Sequence, residues 1–395
     1  MNKQLLHTPE GVRDIYGLEY ERKLKVEGLL HDKINAYGYR DIQTPSFEFF
    51  DVFSNEIGTT PSKELYKFFD KEGNTLVLRP DFTPSVARCA AKYFMEEKKP
   101  LRFAYLGNAF TNRSDLQGKL KESTQMGVEL VGDASVEADA EIISMVIEAL
   151  LNTGLTEFQI SVGNARYFKG LCNEMDFSTE MEYTLREYIS NKNFFGAEEY
   201  MINEGVNKEI RSLLLKTNDL IGSVEVLDQA ESIVHNEYSL AAVKRLRDLY
   251  EVLKAYGIEK YVSFDLGMLN KYQYYTGMIF KVYTYGVGDA IVKGGRYDGL
   301  LTQFGKNSPA VGFVILIDDL MQALSRQKVE VSVDSKRIIM LYEKDAFMSA
   351  LKKAKALREE DNSVEMIEKA PDLSISDYEK YGAEQNHAEV IYVKN

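Results

Sequence analysis

The stretch QYYTGMIFKVY, residues 273–283, is followed closely by GGRYDGLLTQFG, residues 294–305, and this pair decides the fold. Two further stretches precede it, LRPDFT at residues 78–83 and the block from YLGNAF to QMGVELVG at residues 105–132. Each stretch alone has an ordinary interpretation, since paired tyrosines occur on core strands and glycine-rich runs occur in tight turns. Four such stretches in one fixed order indicate a specific architecture rather than coincidence.

The first half of the chain predicts helices mixed with antiparallel strands. Residues 19–37 carry apolar side chains at helical spacing, and Gly38 stands where a helix end favours a left-handed residue. The segment YRDIQTPSFE contains Pro45, which fits an edge strand because proline cannot donate to a ladder. Residues 65–83 predict a short hairpin followed by a helix, and residues 101–132 predict a longer hairpin with a charged loop.

The second half predicts a helical insertion and then a return to strands. Between about residues 167 and 260 the periodicity is helical almost throughout. Strands are expected again at residues 273–285 and 289–295, with a helix that begins near Asp318. Beyond Gln327 strand-like and helix-like segments alternate, which is typical of a small α/β unit. We therefore expect an α+β domain over residues 1–325 and a small α/β domain over residues 332–395.

Composition excludes several classes of function. Forty-eight basic against sixty-one acidic residues give a formal charge of −13, which disfavours nucleic acid as a partner. Cys89 and Cys172 cannot form a disulfide framework, and the four histidines lack metal-ligand spacing, so no metal or other cofactor is predicted. No apolar run is long enough to span a bilayer and none at the N-terminus resembles a signal peptide, so we expect a cytoplasmic protein.

Over residues 8–325 the four stretches resemble those of histidyl-tRNA synthetases. The resemblance implies a class II aminoacyl-tRNA synthetase-like fold, an antiparallel sheet flanked by helices. The helix followed by the segment around Pro45 resembles the dimer-forming first motif of that class, which implies a homodimer. The small C-terminal unit resembles a shortened form of the domain that binds the anticodon in the synthetases.

The same resemblance marks three positions at which an arginine of the ATP site is missing. Thr111, Asn270 and Asp319 stand where these synthetases hold the triphosphate or the reacting carboxylate with arginine. Adenylation needs fixed positive charge because the nucleotide's phosphates must be neutralised and aligned, and each lost donor costs about 10²- to 10³-fold in rate. An alternative is that neighbouring basic residues compensate; the neighbours in sequence are Arg113, Lys119, Lys121 and Arg296.

The positions that bind the amino acid in the synthetases keep side chains suited to histidine. The resemblance implies that Asp81 and Thr83 receive the ligand's ammonium group and that Gln125 contacts its polar backbone atoms. It also implies that Glu129 and Tyr275 bracket the imidazole, with Tyr274 close by. A neutral imidazole needs one acceptor and one hydroxyl, which this pair supplies. Gln125 and Glu129 are four residues apart on a predicted strand, so both lie on one face.

With a predicted histidine pocket but without the ATP-binding arginines, the chain is similar to the regulatory subunits of ATP phosphoribosyltransferase. These subunits are paralogues of the synthetases. That family implies a non-catalytic subunit of histidine biosynthesis that forms a hetero-oligomer with the short-form catalytic subunit. It also implies a requirement for that subunit's activity and a part in feedback inhibition by histidine. Two alternatives remain at this stage, a diverged histidyl-tRNA synthetase and a catalytically dead synthetase-like sensor that binds tRNA.

Overall fold

The computed structural model describes residues 6–54, 60–113, 120–269, 274–333, 337–385 and 389–394. Contacts divide the chain into two compact units. The larger unit comprises Met1–Arg13 and Glu27–Glu330, and the smaller unit comprises Asp14–Val26 and Val331–Asn395. The N-terminal half of the first helix thus clusters with the C-terminal residues, although these segments are distant in sequence.

The larger unit contains twelve strands among the described residues. They are β1 (Arg40–Asp41), β2 (Phe47–Phe49), β3 (Lys67–Phe69), β4 (Thr75–Leu78), β5 (Leu101–Phe110), β6 (Glu122–Val131), β7 (Phe158–Asn164), β8 (Ile221–Gly222), β9 (Val262–Asp265), β10 (Met278–Thr284), β11 (Val292–Arg296) and β12 (Ala310–Leu316). A nine-stranded sheet has the order β1-β5-β6-β12-β11-β10-β7-β9-β8, and a three-stranded sheet has the order β2-β4-β3. Most neighbours are antiparallel, whereas β1–β5 and β7–β9 are parallel pairs.

Helices connect and flank these strands. They are α1 (Gly17–Ala36), α2 (Asp51–Ser54), α3 (Thr83–Tyr93), α4 (Val136–Asn152), α5 (Ala165–Glu174), α6 (Thr179–Ser190), α7 (Phe194–Asn203), α8 (Lys208–Lys216), α9 (Val226–Ile233), α10 (Glu237–Tyr256) and α11 (Ile317–Arg326). Helices α5 to α10 connect β7 with its parallel neighbour β9, where the sequence predicted helical structure. The two-residue strand β8 inside this run was not predicted, because so short a strand carries no periodicity.

Two predicted strands differ from those observed. The segment around Pro45 forms two strands in two sheets, β1 and β2, and Pro45 lies between them in neither. Proline lacks a ladder donor, which suits a point where the chain leaves one sheet for another. The strand predicted over residues 273–285 begins at Met278 in the described part of the chain, and Tyr274 and Tyr275 precede it; residue 273 lies outside the described residues. Their rings are therefore presented by a loop rather than by the pleat of a strand.

The central sheet has two unlike faces. On one face the side chains of Val128 and Phe280 are fully buried in the hydrophobic core. Helices α4 and α10 contact the sheet at β12 and β7. On the other face, a row that crosses neighbouring strands carries Glu129, Gly312 and Gly295 in direct register. This second face carries the polar side chains of the candidate site.

The smaller unit contains a parallel three-stranded sheet. Its elements are β13 (Arg337–Tyr342), α12 (Phe347–Glu359), β14 (Ser363–Glu368), α13 (Ile375–Glu384) and β15 (Glu389–Val393), with strand order β14-β13-β15. Helix α13 was not predicted, although Ser374 and Asp377 form a capping box at its start. Among the described residues, no helix has the length and apolar character needed to cross a membrane.

Candidate functional site

Glycines form the floor of the site on the second face of the central sheet. A Cβ atom added to Gly312 would lie 2.0 Å from Glu129 Oε2, and one added to Gly295 would lie 2.7 Å from the Tyr275 ring. A Cβ atom at Gly127 would lie 2.4 Å from the Tyr105 hydroxyl. Such distances are far inside van der Waals contact. The absence of side chains here leaves the space that the glutamate and the tyrosine rings occupy.

Glu129 is the buried acid at the centre of this face. It lies on β6 with only 2% of its surface exposed. Oε1 accepts a hydrogen bond from Thr83 Oγ1 at 2.7 Å, and Oε2 accepts one from the Tyr297 hydroxyl. Burial raises the pKa of Glu129 to about 8, although both hydrogen bonds favour the ionised form. At neutral pH burial therefore favours the protonated form of Glu129.

Asp81 is the second acid, in the turn that leads into α3. Both carboxylate oxygens are buried and accept no hydrogen bond of normal geometry from the described residues. The Thr83 amide favours the ionised form, but burial has the larger effect and raises the pKa of Asp81 to about 7. Gln125 Oε1, on the same face of β6 as Glu129, is also buried and lacks a donor within the described part of the chain. Buried acceptors without partners are costly, so a ligand that donates N–H groups would be stabilised here.

Tyrosines form the walls around these acids. Tyr274 stacks on Tyr297 with ring centroids 5.3 Å apart, and it meets Tyr275 edge to face at 4.9 Å. Tyr105 stacks on Phe82 at 4.4 Å. Burial is the largest of the causes that raise the pKa values of Tyr274, Tyr275 and Tyr297, so all three keep their hydroxyl protons at neutral pH. The walls are therefore aromatic, with hydroxyl groups that can hydrogen-bond a polar ligand.

The two tyrosine-bearing motifs are held together by their shared backbone bonds. The Thr276 amide donates to the Arg296 carbonyl at 2.7 Å, and the Asp298 amide donates to Thr276 Oγ1 at 2.9 Å. Gly277 lets the Arg296 side chain pass, because an added Cβ atom would lie 3.2 Å from Arg296 Cδ. The spacing of the two motifs in the sequence thus reflects direct contact in the fold.

The structure brings five of the six predicted site residues close enough to interact through charge or hydrogen bonds, namely Asp81, Thr83, Glu129, Tyr274 and Tyr275. Asp81 and Glu129 both raise the pKa of Tyr274 and of Tyr275, and Thr83 bonds directly to Glu129. The sixth, Gln125, shares the face of Glu129. Sequence reasoning missed Tyr105 and Tyr297. Tyr297 lies inside the quoted GGRYDGL run, but only the fold shows that its hydroxyl reaches Glu129.

The positions at which arginine is missing bring no positive charge to the site. Thr111 follows β5, and its amide donates to the Lys121 carbonyl. Asp319 lies in the first turn of α11, where a carboxylate suits the helix dipole and repels phosphate. Next to it, Asp318 accepts a hydrogen bond from the Thr124 amide at 2.8 Å. Asn270 lies outside the described residues.

Two of the basic neighbours that might compensate are engaged elsewhere. Arg296 is 3% exposed and bonds to the fully buried Asp139. Arg113 faces Glu64 with Nε 3.9 Å from Oε2. Lys119 lies outside the described residues. An arginine whose charge is matched by a buried carboxylate is poorly placed to neutralise a triphosphate.

Replacing Gly312 by alanine is expected to disrupt the site. The new methyl group would displace the Glu129 carboxylate and break its bond with Tyr297, at a cost of about 1–3 kcal/mol in stability, as for other overpacked cores. Gly288→Ala is the matched control, since nothing lies within 4 Å of its added Cβ atom. Thermal unfolding of both variants checks this, and equal melting temperatures would contradict it.

A largely antiparallel sheet with the buried Glu129, the buried Asp81 beside it and the contacting YYTG and GGRYDG motifs define a class II aminoacyl-tRNA synthetase-like protein. The family model described as histidyl-tRNA synthetase matches residues 11–320, which confirms the predicted fold class. The chain is 41% identical over 374 residues to the ATP phosphoribosyltransferase regulatory subunit of Acetivibrio thermocellus, covering 95% of this chain and 88% of that protein. The chain belongs to the family of ATP phosphoribosyltransferase regulatory subunits.

A second relative and a solved structure agree with this assignment. The protein of the same name from Ruminiclostridium cellulolyticum is 38% identical over 395 residues, covering 100% of this chain and 94% of that protein. A crystal structure from Bacillus halodurans, described as an ATP phosphoribosyltransferase regulatory subunit/histidyl-tRNA synthetase, superimposes with a TM-score of 0.88. It is 31% identical and covers 98% of each chain. Because its description names both a regulatory subunit and a synthetase, this structure does not distinguish the two classes. The side chains of the candidate site bear on that distinction.

Proposed function

We propose that this chain is a non-catalytic subunit that binds free histidine and regulates the catalytic subunit of ATP phosphoribosyltransferase in histidine biosynthesis. The observation that carries the proposal is a set of three buried oxygens, two on Asp81 and one on Gln125, that accept no hydrogen bond of normal geometry from the described residues. They stand in a pocket whose neighbouring ATP positions, Thr111 and Asp319, have no positive charge. Such a pocket can hold an amino acid but lacks the means to activate it.

The chemistry of histidine matches these side chains group by group. Its ammonium would donate to Asp81 and Thr83, and Gln125 would contact its other polar backbone atoms. Its imidazole needs a partner at each ring nitrogen, and Glu129 and Tyr275 provide one each. With a pKa of about 8, Glu129 can accept from or donate to the ring, whichever tautomer binds. Asp81 is one methylene shorter than the glutamate of the synthetases, which leaves room for a bridging water molecule.

The assembly follows from the family and from the charge of the chain. The relatives are named as regulatory subunits, which supports a catalytic ATP phosphoribosyltransferase subunit of the short form as partner. Homodimers within that hetero-oligomer would use the segment around Pro45, as in the first motif of class II synthetases. A formal charge of −13 disfavours tRNA as a further partner.

Co-purification with a short-form catalytic subunit tests the proposal. The mixture is expected to form a complex, to be far more active than the catalytic subunit alone, and to be inhibited by histidine. Asp81→Asn in the same mixture should keep the complex and the activity but lose inhibition by histidine, because only the pocket is altered. Failure of the wild-type chain to form a complex or to stimulate activity would refute the proposal.

A further inference from the structure

A fully buried carboxylate outside the pocket joins the helical insertion to the strand that precedes Tyr297. Asp139 lies on α4 with none of its surface exposed. Its Oδ1 accepts bonds from Arg296 Nε and Nη2 at 2.9 and 2.7 Å, and its Oδ2 accepts bonds from Arg245 Nε and Nη2 at 2.8 and 2.6 Å. Each oxygen is thus held by one guanidinium group.

The first guanidinium connects this carboxylate to the pocket. Arg296 is the last residue of β11, and the next residue, Tyr297, donates its hydroxyl to Glu129. The Tyr297 amide donates to the Ala310 carbonyl at 2.8 Å, which fixes the backbone on the other side. The guanidinium that binds Asp139 and the hydroxyl that binds Glu129 thus belong to adjacent residues, which one peptide unit joins.

The second guanidinium connects the same carboxylate to the insertion. Arg245 lies on α10, the last helix before β9, and also donates to the carbonyls of Ala134 and Ser135 at 3.0 and 2.8 Å. Arg296 donates to the neighbouring Asp133 carbonyl at 2.9 Å. Both arginines thus bind the loop at residues 133–135 as well as the Asp139 carboxylate. Moving one guanidinium group would change the electrostatic potential at the other.

We infer that Arg245 and Asp139 are positioning residues for the histidine pocket, which couple the insertion helix α10 to the placement of Tyr297 against Glu129. The inference rests on the proposed binding of histidine and extends it to the insertion. Buried charge pairs are strict about geometry, since an uncompensated charge in the interior costs far more than a surface ion pair gains. If histidine binding restricts the motion of Tyr297, it should also restrict the motion of α10. The coupling is reciprocal, so a change in α10 should alter the affinity for histidine.

Arg245→Met tests the coupling, with Arg247→Met as the matched control. Arg247 lies on the same helix but pairs with Asp228 and Glu231 at 2.6 and 3.0 Å, within the insertion and away from Asp139. We expect Arg245→Met to weaken histidine binding about tenfold by calorimetry, within the roughly 5- to 150-fold range of such couplings. Arg247→Met should stay within about twofold of the wild type, and Arg245→Lys should recover part of the loss because one charged donor remains.

Hydrogen exchange separates positioning from a merely structural role. In the wild type and in Arg247→Met, saturating histidine should slow amide exchange along α10. In Arg245→Met at saturating histidine this slowing should be absent. In the contrary outcome, Arg245→Met melts at a lower temperature yet binds histidine like the wild type and still shows slowed amide exchange along α10. That result would overturn this inference and leave the proposed function intact. Absence of histidine binding to the wild type would overturn both the inference and the proposed function.

Discussion

Replacing Asp81 by asparagine is expected to weaken histidine binding by about 10²- to 10³-fold. The ligand's ammonium would lose its only buried counter-charge among the predicted contacts, and breaking a buried ion pair typically costs about 3–5 kcal/mol. Calorimetric titration of histidine into the purified variant measures the loss. Asp265→Asn is the matched control, since burial also raises the pKa of that carboxyl group, which lies on β9 near the other edge of the sheet.

The same variant should be more stable than the wild type when no ligand is present. Asp81 has a pKa of about 7 in the folded chain and about 3.9 when unfolded, so the folded chain holds the extra proton between these values. The contribution of Asp81 to the stability of the empty wild type therefore falls as pH rises from about 4 to about 7. Asparagine cannot ionise and avoids this loss, which is about 4 kcal/mol at pH 8 for a difference of about three pKa units. At pH 4 the two proteins should unfold alike, and a variant that is less stable at pH 8 would contradict this account.

The purified chain is expected to form no histidyl-adenylate and to show no ATP–pyrophosphate exchange with histidine. Three missing cationic donors, each worth about 10²- to 10³-fold, lower the rate below a useful level. Detectable exchange would instead favour the alternative of a diverged synthetase. This measurement needs no partner subunit and therefore tests the pocket independently of assembly.

Restoring charge should restore nucleotide affinity in part. The double variant Thr111→Arg with Asp319→Arg is expected to bind ATP at least about tenfold more tightly than the wild type, because charge-assisted bonds to phosphate are strong. The double variant Thr179→Arg with Asp372→Arg makes the same chemical changes at exposed positions outside the site. Equal ATP affinity in the two variants would show that net charge, rather than position, accounts for any gain.

The sequence predicted secondary structure well where the signal is local, as in strand periodicity or a glycine at a helix end. Gln125 and Glu129 could be placed on one face because a strand has a period of two, and Gly38 ends its helix with φ at +81° as expected. The division at Pro45 into two sheets could not be predicted, because the partner strands of β1 and β2 are chosen by distant segments. Sequence alone likewise gives no reason to group residues 14–26 with the C-terminal unit.

The candidate site shows the same division between local and distant information. The resemblance supplied Asp81, Thr83 and Glu129, but the bond between Thr83 and Glu129 joins residues that are 46 positions apart. Arg296 lies near the ATP positions in sequence, but its ion pair with Asp139 joins residues that are 157 positions apart. No periodicity reports contacts of this range. Motifs therefore indicate which residues meet a ligand, whereas the fold shows which of them are already satisfied.

Strand β6, which carries Gln125 and Glu129, pairs on one side with β12. During translation β6 is complete long before β12 leaves the ribosome. The edge of β6 that pairs with β12 therefore has no partner strand until synthesis has passed Leu316. Such non-local pairing slows folding and exposes an edge on which nascent chains can aggregate. Under the proposed function, histidine would bind only after β12 has paired with this edge, and would then stabilise the folded protein by mass action without assisting its synthesis.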